Sequence, residues 1–235
     1  MRPMPSKQDI VTHFSAIARR YDLVNHLLSA NIDRSWRRRL VRLSQVRPGQ
    51  RVLDICTGTC DILLAFHRVC DACDYVGADV TQPMLDIGRE KLRRAGAGAR
   101  TRLILADALA LPLEDRAFDV ATMGFGLRNL EDPLRGIGEM ARVLKPGGRA
   151  LILEFAPTQP GLSGRLYGWY LNALIPKLGG IITGSTLAYE HLSQSIQGFF
   201  EPETLVGAMK NKGFKETRAV PLFGRIAYIY VGIKD

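Results

Sequence analysis

The chain has 235 residues, 46% of them hydrophobic and 23% charged, and a net charge of +9. That apolar content supports one full-sized core and argues against global disorder. No run of eighteen apolar residues occurs and the N-terminal stretch lacks the apolar segment of a secretory signal, so the expected location is cytoplasmic, with no membrane-spanning helix.

Residues 1–50 hold ten Lys/Arg against three acids, so +7 of the +9 sits there. An anionic membrane surface, a nucleic acid or a solvated helix face would each account for it. Two helices are expected over residues 7–45. In the first, Ile10, Phe14, Ile17, Tyr21, Val24 and Leu28 recur at three- and four-residue steps. In the second, Trp36, Leu40 and Leu43 share a face, with Asp33 as N-cap. "RPGQ" then breaks the chain.

From residue 51 short apolar runs alternate with helical patterns. The expected strands are "RVLDI", "YVGAD", "TRLILAD", "FDVATMGF" and "RALILEFA". Helices are expected from about Asp61 to Val69, over "TQPMLDIGREKLRRA", and from about Pro133 to Leu144, the last stopped by "KPGG". Beyond Pro157 an apolar, Gly- and Pro-broken stretch reads as a helical insertion, a lid or substrate wall. A helix "PETLVGAMKNKGF" and a hairpin-like strand pair close the chain. Such alternation gives an α/β fold: a doubly wound, seven-stranded, mainly parallel sheet in one domain over 1–235. Its parts are a helical cap (1–47), a cofactor-binding core (48–156), a substrate-side insertion (157–200) and a last helix with terminal strands (201–235).

Ligands of doubly wound sheets bind at the carboxyl ends of the strands, where Asp54, Asp79 and Asp107 follow the first three strands. Asp79 lies about 20 residues past the first loop, the place of an acid that accepts ribose hydroxyls. A dinucleotide needs G-x-G-x-x-G there, and "CTGTCD" does not supply it. S-adenosylmethionine has no pyrophosphate and is served by one tight turn, helix-N-terminal amides and acids near its cationic groups. Each aspartate alone would more often be a helix cap, as Asp61 would be.

With these elements placed, the chain resembles class I S-adenosylmethionine-dependent methyltransferases, which have a Rossmann-like fold. More narrowly it resembles the ubiquinone/menaquinone biosynthesis C-methyltransferase family. "YDLVNHLLSANIDRSWRR", "GFGLRNL", "RVLKPGGRALILEFA" and "YEHLSQSIQGF" carry the resemblance, spread over residues 21 to 199. It implies methyl transfer to a ring carbon of a polyprenylated demethylquinol, most plausibly demethylmenaquinol. It implies cofactor contacts at Thr59, Asp79, Asp107 with Ala108, and Gly124, beside the turn of Asp54 and Gly58, with Tyr21 and Asp22 covering the cofactor. Departures are Thr57 and Cys60 for loop glycines, Asn31 and Asp33 for a glycine and a histidine, Gly124 for a serine, and "EFA" for "EFS".

For the chemistry, Arg128 with Asn129 is the candidate for polarising a quinol oxygen; pairing of Arg128 with an acid such as Glu131 is the alternative. His191, Tyr189, Glu190 and His26 are candidate proton acceptors, His191 foremost. The basic cap would dock on anionic lipid at the inner face of a membrane, since a polyprenylated substrate lives in a bilayer. A homodimer is left open. Rival readings are a non-catalytic S-adenosylmethionine-binding accessory protein of quinone assembly and a methyltransferase acting on RNA or another small molecule. The residues after the fourth strand, "GFGLRN", lack the Asn/Asp-Pro-Pro-aromatic turn of exocyclic-amine methylation, so no nucleic acid is expected. The cysteines run C-x3-C-x9-C-x2-C across a helix of roughly 12 Å, too far apart for one tetrahedral ion, so no metal is expected. Disulfides are not expected in a reducing compartment, and Cys60 at a helix N-terminus is a candidate reactive thiol.

Overall fold

The computed structural model describes residues 7–29, 31–158, 161, 167–168 and 193–235. Seven strands form one sheet in the order β3-β2-β1-β4-β5-β7-β6. They are β1 (Arg51–Ile55), β2 (Asp74–Asp79), β3 (Thr101–Leu105), β4 (Phe118–Gly124), β5 (Leu144–Phe155), β6 (Phe214–Leu222) and β7 (Ala227–Lys234). β1 through β5 pair in parallel, and β7 slots antiparallel between β5 and β6. The seven-stranded, mainly parallel sheet expected from the sequence is therefore borne out.

The central strands are apolar because both faces are covered. Successive residues point to opposite faces. Leu53, Val76, Ala121 and Ile152 pack with α5 (Pro133–Val143) and α6 (Pro202–Asn211). Val52, Tyr75, Val120, Leu151 and Ile229 pack with α2 (Ile32–Ser44), α3 (Asp61–His67) and α4 (Gln82–Arg94). α1 (Lys7–Leu28) crosses outside this layer, against α4 and α2. Leu40, fully buried on α2, anchors the cap; Leu40→Ala would cost about 2–5 kcal/mol.

Three local readings are corrected. Asn31, left-handed at φ 59°, caps α2, while Asp33 sits inside the first turn. There its buried carboxylate takes the Arg37 guanidinium and the Ser29 hydroxyl, so its side chain is not free to cap. Left-handed Cys60 likewise precedes α3, and Asp61 is its first residue rather than its cap. "KPGG" does not separate α5 from β5: the extended backbone begins at Leu144 and turns within "KPGG" at Gly147, φ 77°. The expected insertion lies almost wholly outside the described residues.

Candidate functional site: a strand-end crevice under the first helix

The strand order turns back between β1 and β4, the point at which doubly wound sheets leave a crevice. Both strands end on a left-handed non-glycine residue, Cys56 (φ 55°) and Phe125 (φ 57°). Such conformations cost about 1–3 kcal/mol each and persist where the surroundings enforce them. Here the enforcement is visible in hydrogen bonds: the Thr57 amide donates to the Ala78 carbonyl (3.0 Å) and the Phe125 amide to Leu153 (2.7 Å). The two strand ends approach so closely that a Cβ on Gly126 would overlap the Cys56 side chain. At Gly124 the tip of the Ile62 side chain of α3 lies where a Cβ would go and would have to turn aside for a larger residue.

Into this crevice project the carboxylates of Asp79 and Asp107. Asp79 accepts the Gly58 amide on one oxygen and the Thr81 amide on the other, both at 2.8 Å. The Val80 amide and the Thr81 hydroxyl also bond to this carboxylate, so a ligand diol would share its oxygens with these donors. Burial pushes the Asp79 pKa up in spite of these amides. Asp107 accepts the Leu109 amide at 2.9 Å and pairs with the Lys7 ammonium at 2.8 Å. Burial raises its pKa, but the Lys7 and Leu109 bonds and the Lys7 and Arg135 charges outweigh that and hold it below the usual range. Asp54 lies deeper, 1% exposed, behind the turn rather than in the crevice. It takes the hydroxyls of Thr57 (2.7 Å) and Thr122 (2.6 Å), and burial still lifts its pKa to about 7.

The helix α1 lies over the opening. Lys7, Ile10 and Phe14 line the cavity from above, and Cys56, Gly58, Met84, Ala108, Gly124 and Asn129 line it from the strand ends. The Lys7 amide donates to Glu131 at 2.5 Å. The enclosed volume is about 90 Å³. Small-molecule sites usually measure about 300–1,000 Å³, so the first turns of α1 must lift to admit a cofactor.

The far end of α1 is held more firmly. Asp22 accepts the Thr59 hydroxyl at 2.5 Å and the Lys91 ammonium at 2.7 Å, and Lys91 reaches Asp61 at 2.5 Å. Asp61 continues to Arg37 at 3.6 Å, and Arg37 to Asp33. Members of this chain from α1, α2, α3 and α4 are mostly three-quarters or more buried, so it fixes the turn that carries Gly58.

The acids fit an S-adenosyl cofactor by chemistry: two acceptors at strand ends, a tight turn with Gly58 at φ 52°, and apolar walls of Val80, Met84 and Leu109. The comparisons agree. The ubiE/COQ5 methyltransferase family matches residues 4–234.

The chain belongs to the ubiE/COQ5 methyltransferase family.

It is 44% identical over 219 residues to the demethylmenaquinone methyltransferase of Thermus thermophilus, covering 93% of this chain and 98% of that one. It is 40% identical over 228 residues to a ubiquinone/menaquinone biosynthesis C-methyltransferase of Stutzerimonas stutzeri, covering 97% and 89%. Among solved structures, a SAM-dependent methyltransferase from Aquifex aeolicus aligns with a TM-score of 0.63 at 17% identity, over 85% of this chain and 89% of that one. Phosphoethanolamine N-methyltransferase 2 of Haemonchus contortus, solved with S-adenosyl-L-methionine, also gives 0.63 at 17%, over 83% and 51%. At these identities the structures speak to the fold alone, and they bear out the Rossmann-like reading.

Of the residues that family resemblance singled out, Gly58, Asp79, Asp107, Ala108, Gly124 and Asn129 meet around one cavity. Asp54 and Thr59 do not line it: one lies beneath the turn and the other is turned toward Asp22. The side chain of Tyr21, and all of His191, Tyr189 and Glu190, lie outside the described residues. Arg128 is not among the lining residues either. Its guanidinium pairs with fully buried Glu154 at 2.6 Å, donates to the Phe125 carbonyl at 2.8 Å, and sits 5.5 Å above the Phe155 ring. Its partner is thus Glu154 and not Glu131. Glu154 and Lys7 are the contributors that sequence reasoning missed. Glu154 in "ILEFA" had a signal, a lone acid inside a buried strand; Lys7 had none.

The cysteines resolve in part. Cys60 is fully buried with its pKa pushed up to about 12 by burial, which removes it as a reactive thiol. Its sulfur occupies the space a side chain on Gly88 would need. Cys70 and Cys73 pair as a disulfide, against the sequence expectation, because the turn after α3 brings both side chains inward. Among the described residues no group of three or more His, Cys, Asp or Glu is placed to hold a metal.

Proposed function

We propose that the protein transfers a methyl group from S-adenosylmethionine to a ring carbon of a polyprenylated demethylquinol, most specifically demethylmenaquinol. The observation that supports this most is the 44% identity over nearly the full length of both chains to a demethylmenaquinone methyltransferase, combined with the paired strand-end carboxylates Asp79 and Asp107. When bound, S-adenosylmethionine would supply a sulfonium methyl: the ring carbon takes it as the methyl–sulfur bond breaks to leave S-adenosylhomocysteine, and the proton on that ring carbon passes to solvent.

In this reading Asp79, a carboxylate that only accepts, takes hydrogen bonds from the ribose hydroxyls. Asp107 and Ala108 hold the adenine end, and Lys7 gives up Asp107 as α1 lifts. Gly124 and Gly126 let the end of β4 pack directly on Ile62 and Cys56, which sets the crevice floor where the reacting groups meet. Asn129 donates one amide hydrogen to the Phe125 carbonyl at 3.2 Å and keeps its other polar positions for the quinol. Arg128 acts as a positioning residue: tied to Glu154, it fixes the "GFGLRN" turn that presents Asn129. Orientation of this kind supplies much of the rate gain in such displacements. α1 closing over the site excludes water.

A polyprenyl tail keeps the substrate in a bilayer, so the enzyme works as a peripheral protein at the inner face of a membrane. Among the described residues no helix is long and apolar enough to cross one. The test is incubation with labelled S-adenosylmethionine and a panel of short-tailed demethylquinols, followed by mass spectrometry. The expected product is a quinol in which one methyl group has replaced a ring hydrogen. Cofactor binding with no product from any quinol would defeat the reading.

A further inference from the structure

The exposed face of α2 carries Arg34, Arg38, Arg39 and Arg42. The first, second and fourth follow each other at four-residue steps, a stripe about 12 Å long. The single acid of this helix, Asp33, is turned inward to Arg37. None of the four exposed guanidiniums has a hydrogen-bond or ion-pair partner among the described residues. Elsewhere Arg89 pairs with Asp86, Arg93 and Arg94 with Glu90, and Arg142 with Glu139 and Asp115, while exposed Arg68, Arg102 and Arg116 stand singly; α2 differs in gathering four exposed arginines on one helix. Like charges four residues apart destabilise a helix, and Arg34 in the first turn opposes the helix dipole. Arg42 in the last turn suits the dipole, but Arg34 and Arg38 gain no such benefit, and a partner of opposite charge accounts for the stripe as a whole.

The position of α2 narrows the partner. On its inner side Trp36 packs on Phe125 and Phe155, the residues at the ends of β4 and β5. The turn between β6 and β7 borders the same strand end, where the Ala156 amide donates to the Ile226 carbonyl at 3.0 Å. That turn presents Phe223, 65% exposed, beside exposed Arg225. An aromatic ring next to a cation suits the interface of a bilayer, which is apolar below and charged above. The exposed face of α2 carries no aromatic on which a nucleic acid base could stack, since its Trp36 is buried.

We propose that the arginine face of α2, with the Phe223 turn beside it, is a docking surface for an anionic lipid bilayer, which brings the strand-end crevice to the membrane. This rests on the reading of a membrane-dissolved substrate. The experiment is sedimentation of the full chain with vesicles of phosphatidylcholine alone and of phosphatidylcholine with about one-third phosphatidylglycerol, at low and high salt. Binding is expected to the anionic vesicles only, falling with salt. Arg34→Gln/Arg38→Gln/Arg42→Gln should lower partitioning about five-fold per charge removed, on the order of a hundred-fold together. Phe223→Ser should weaken binding at high salt, where the apolar contribution remains. Both variants should keep wild-type cofactor affinity and wild-type turnover of a short-tailed, water-soluble quinol, which shows that they are folded. Equal binding to both vesicle types, a triple variant that partitions like wild type, or tighter binding to homopolymeric RNA than to anionic vesicles at the same salt would each overturn the proposal. Anionic-vesicle binding without turnover of any quinol would instead defeat the methylation reading and leave the docking surface standing.

Discussion

Arg128→Ala leaves the Glu154 carboxylate at 0% exposure with no cation beside it. In the wild type that carboxylate receives the Arg128 guanidinium at 2.6 Å, the Phe155 amide at 3.0 Å and the Arg128 amide at 3.3 Å. The two amides survive the substitution and the charge-bearing contact does not. Breaking a buried pair costs about 3–5 kcal/mol, and the surviving amides place this site near the lower end. With a denaturant slope of about 2 kcal/mol per molar urea, a loss of about 3 kcal/mol moves the unfolding midpoint down by about 1.5 M. Arg128→Met/Glu154→Gln removes both charges and should recover at least half of that loss. The assay is urea unfolding of the two single variants and the double variant, followed by titration calorimetry with S-adenosylmethionine where each is folded. Cofactor affinity should stay within a few-fold of wild type, because Arg128 does not line the cavity. A midpoint shift below about 0.3 M for Arg128→Ala, or a double variant as unstable as the sum of the singles, would refute the positioning role.

Further outcomes follow from the same geometry. Asp54 has a folded-state pKa near 7, raised from 3.8, so its contribution to stability is full below pH 4 and is lost as pH rises through 7. Asp54→Asn should therefore flatten the stability–pH curve between pH 5 and 8, by about 3 kcal/mol across that range; thermal melts that run parallel to wild type across that range would contradict the burial argument. Cys60→Gly should leave cofactor affinity unchanged within about two-fold, because the sulfur faces Gly88 and not the cavity, whereas Gly88→Ala should cost about 1–3 kcal/mol by overpacking and be rescued by Cys60→Gly. A ten-fold change in cofactor affinity for Cys60→Gly, read by calorimetry, would mean the sulfur reaches the site. Asp22→Asn removes the charge paired with Lys91 and should raise the cofactor dissociation rate several-fold in stopped-flow measurements, since α1 loses its firmer anchor; an unchanged rate would show that Asp22 does not hold the cover.

The sheet was legible because each of its parallel strands is an apolar run bounded by turn residues, and the acids at three strand ends announced a ligand edge. The left-handed turns at Cys56 and Phe125 were not legible, since neither residue type favours positive φ; the close approach of two strand ends imposes it. Asp33 and Asp61 illustrate a second limit. Both have the right chemistry and place for a cap, but Arg37, one turn along the same helix, drew the Asp33 carboxylate away, and Lys91, thirty residues on, drew that of Asp61. Asp54, Asp79 and Asp107 all follow strands, and spacing singled out Asp79, yet only the depth of each in the fold separates a buried acid beneath the turn from two that face the cavity. Arg128 sat beside Glu131 in sequence and beside Glu154 in space, a pairing that only the neighbouring of β4 and β5 creates.

The central claim is that a ring carbon, and not an oxygen or a nitrogen, receives the methyl group. Single-turnover reaction of the enzyme with carbon-13-methyl S-adenosylmethionine and a short-tailed demethylmenaquinol, read by NMR of the product, tests it most directly. The account predicts one labelled methyl with the shift of an aryl–CH3 group, absent with Asp79→Ala. A label found as O–CH3, or no transfer by an enzyme that binds the cofactor normally, would contradict it.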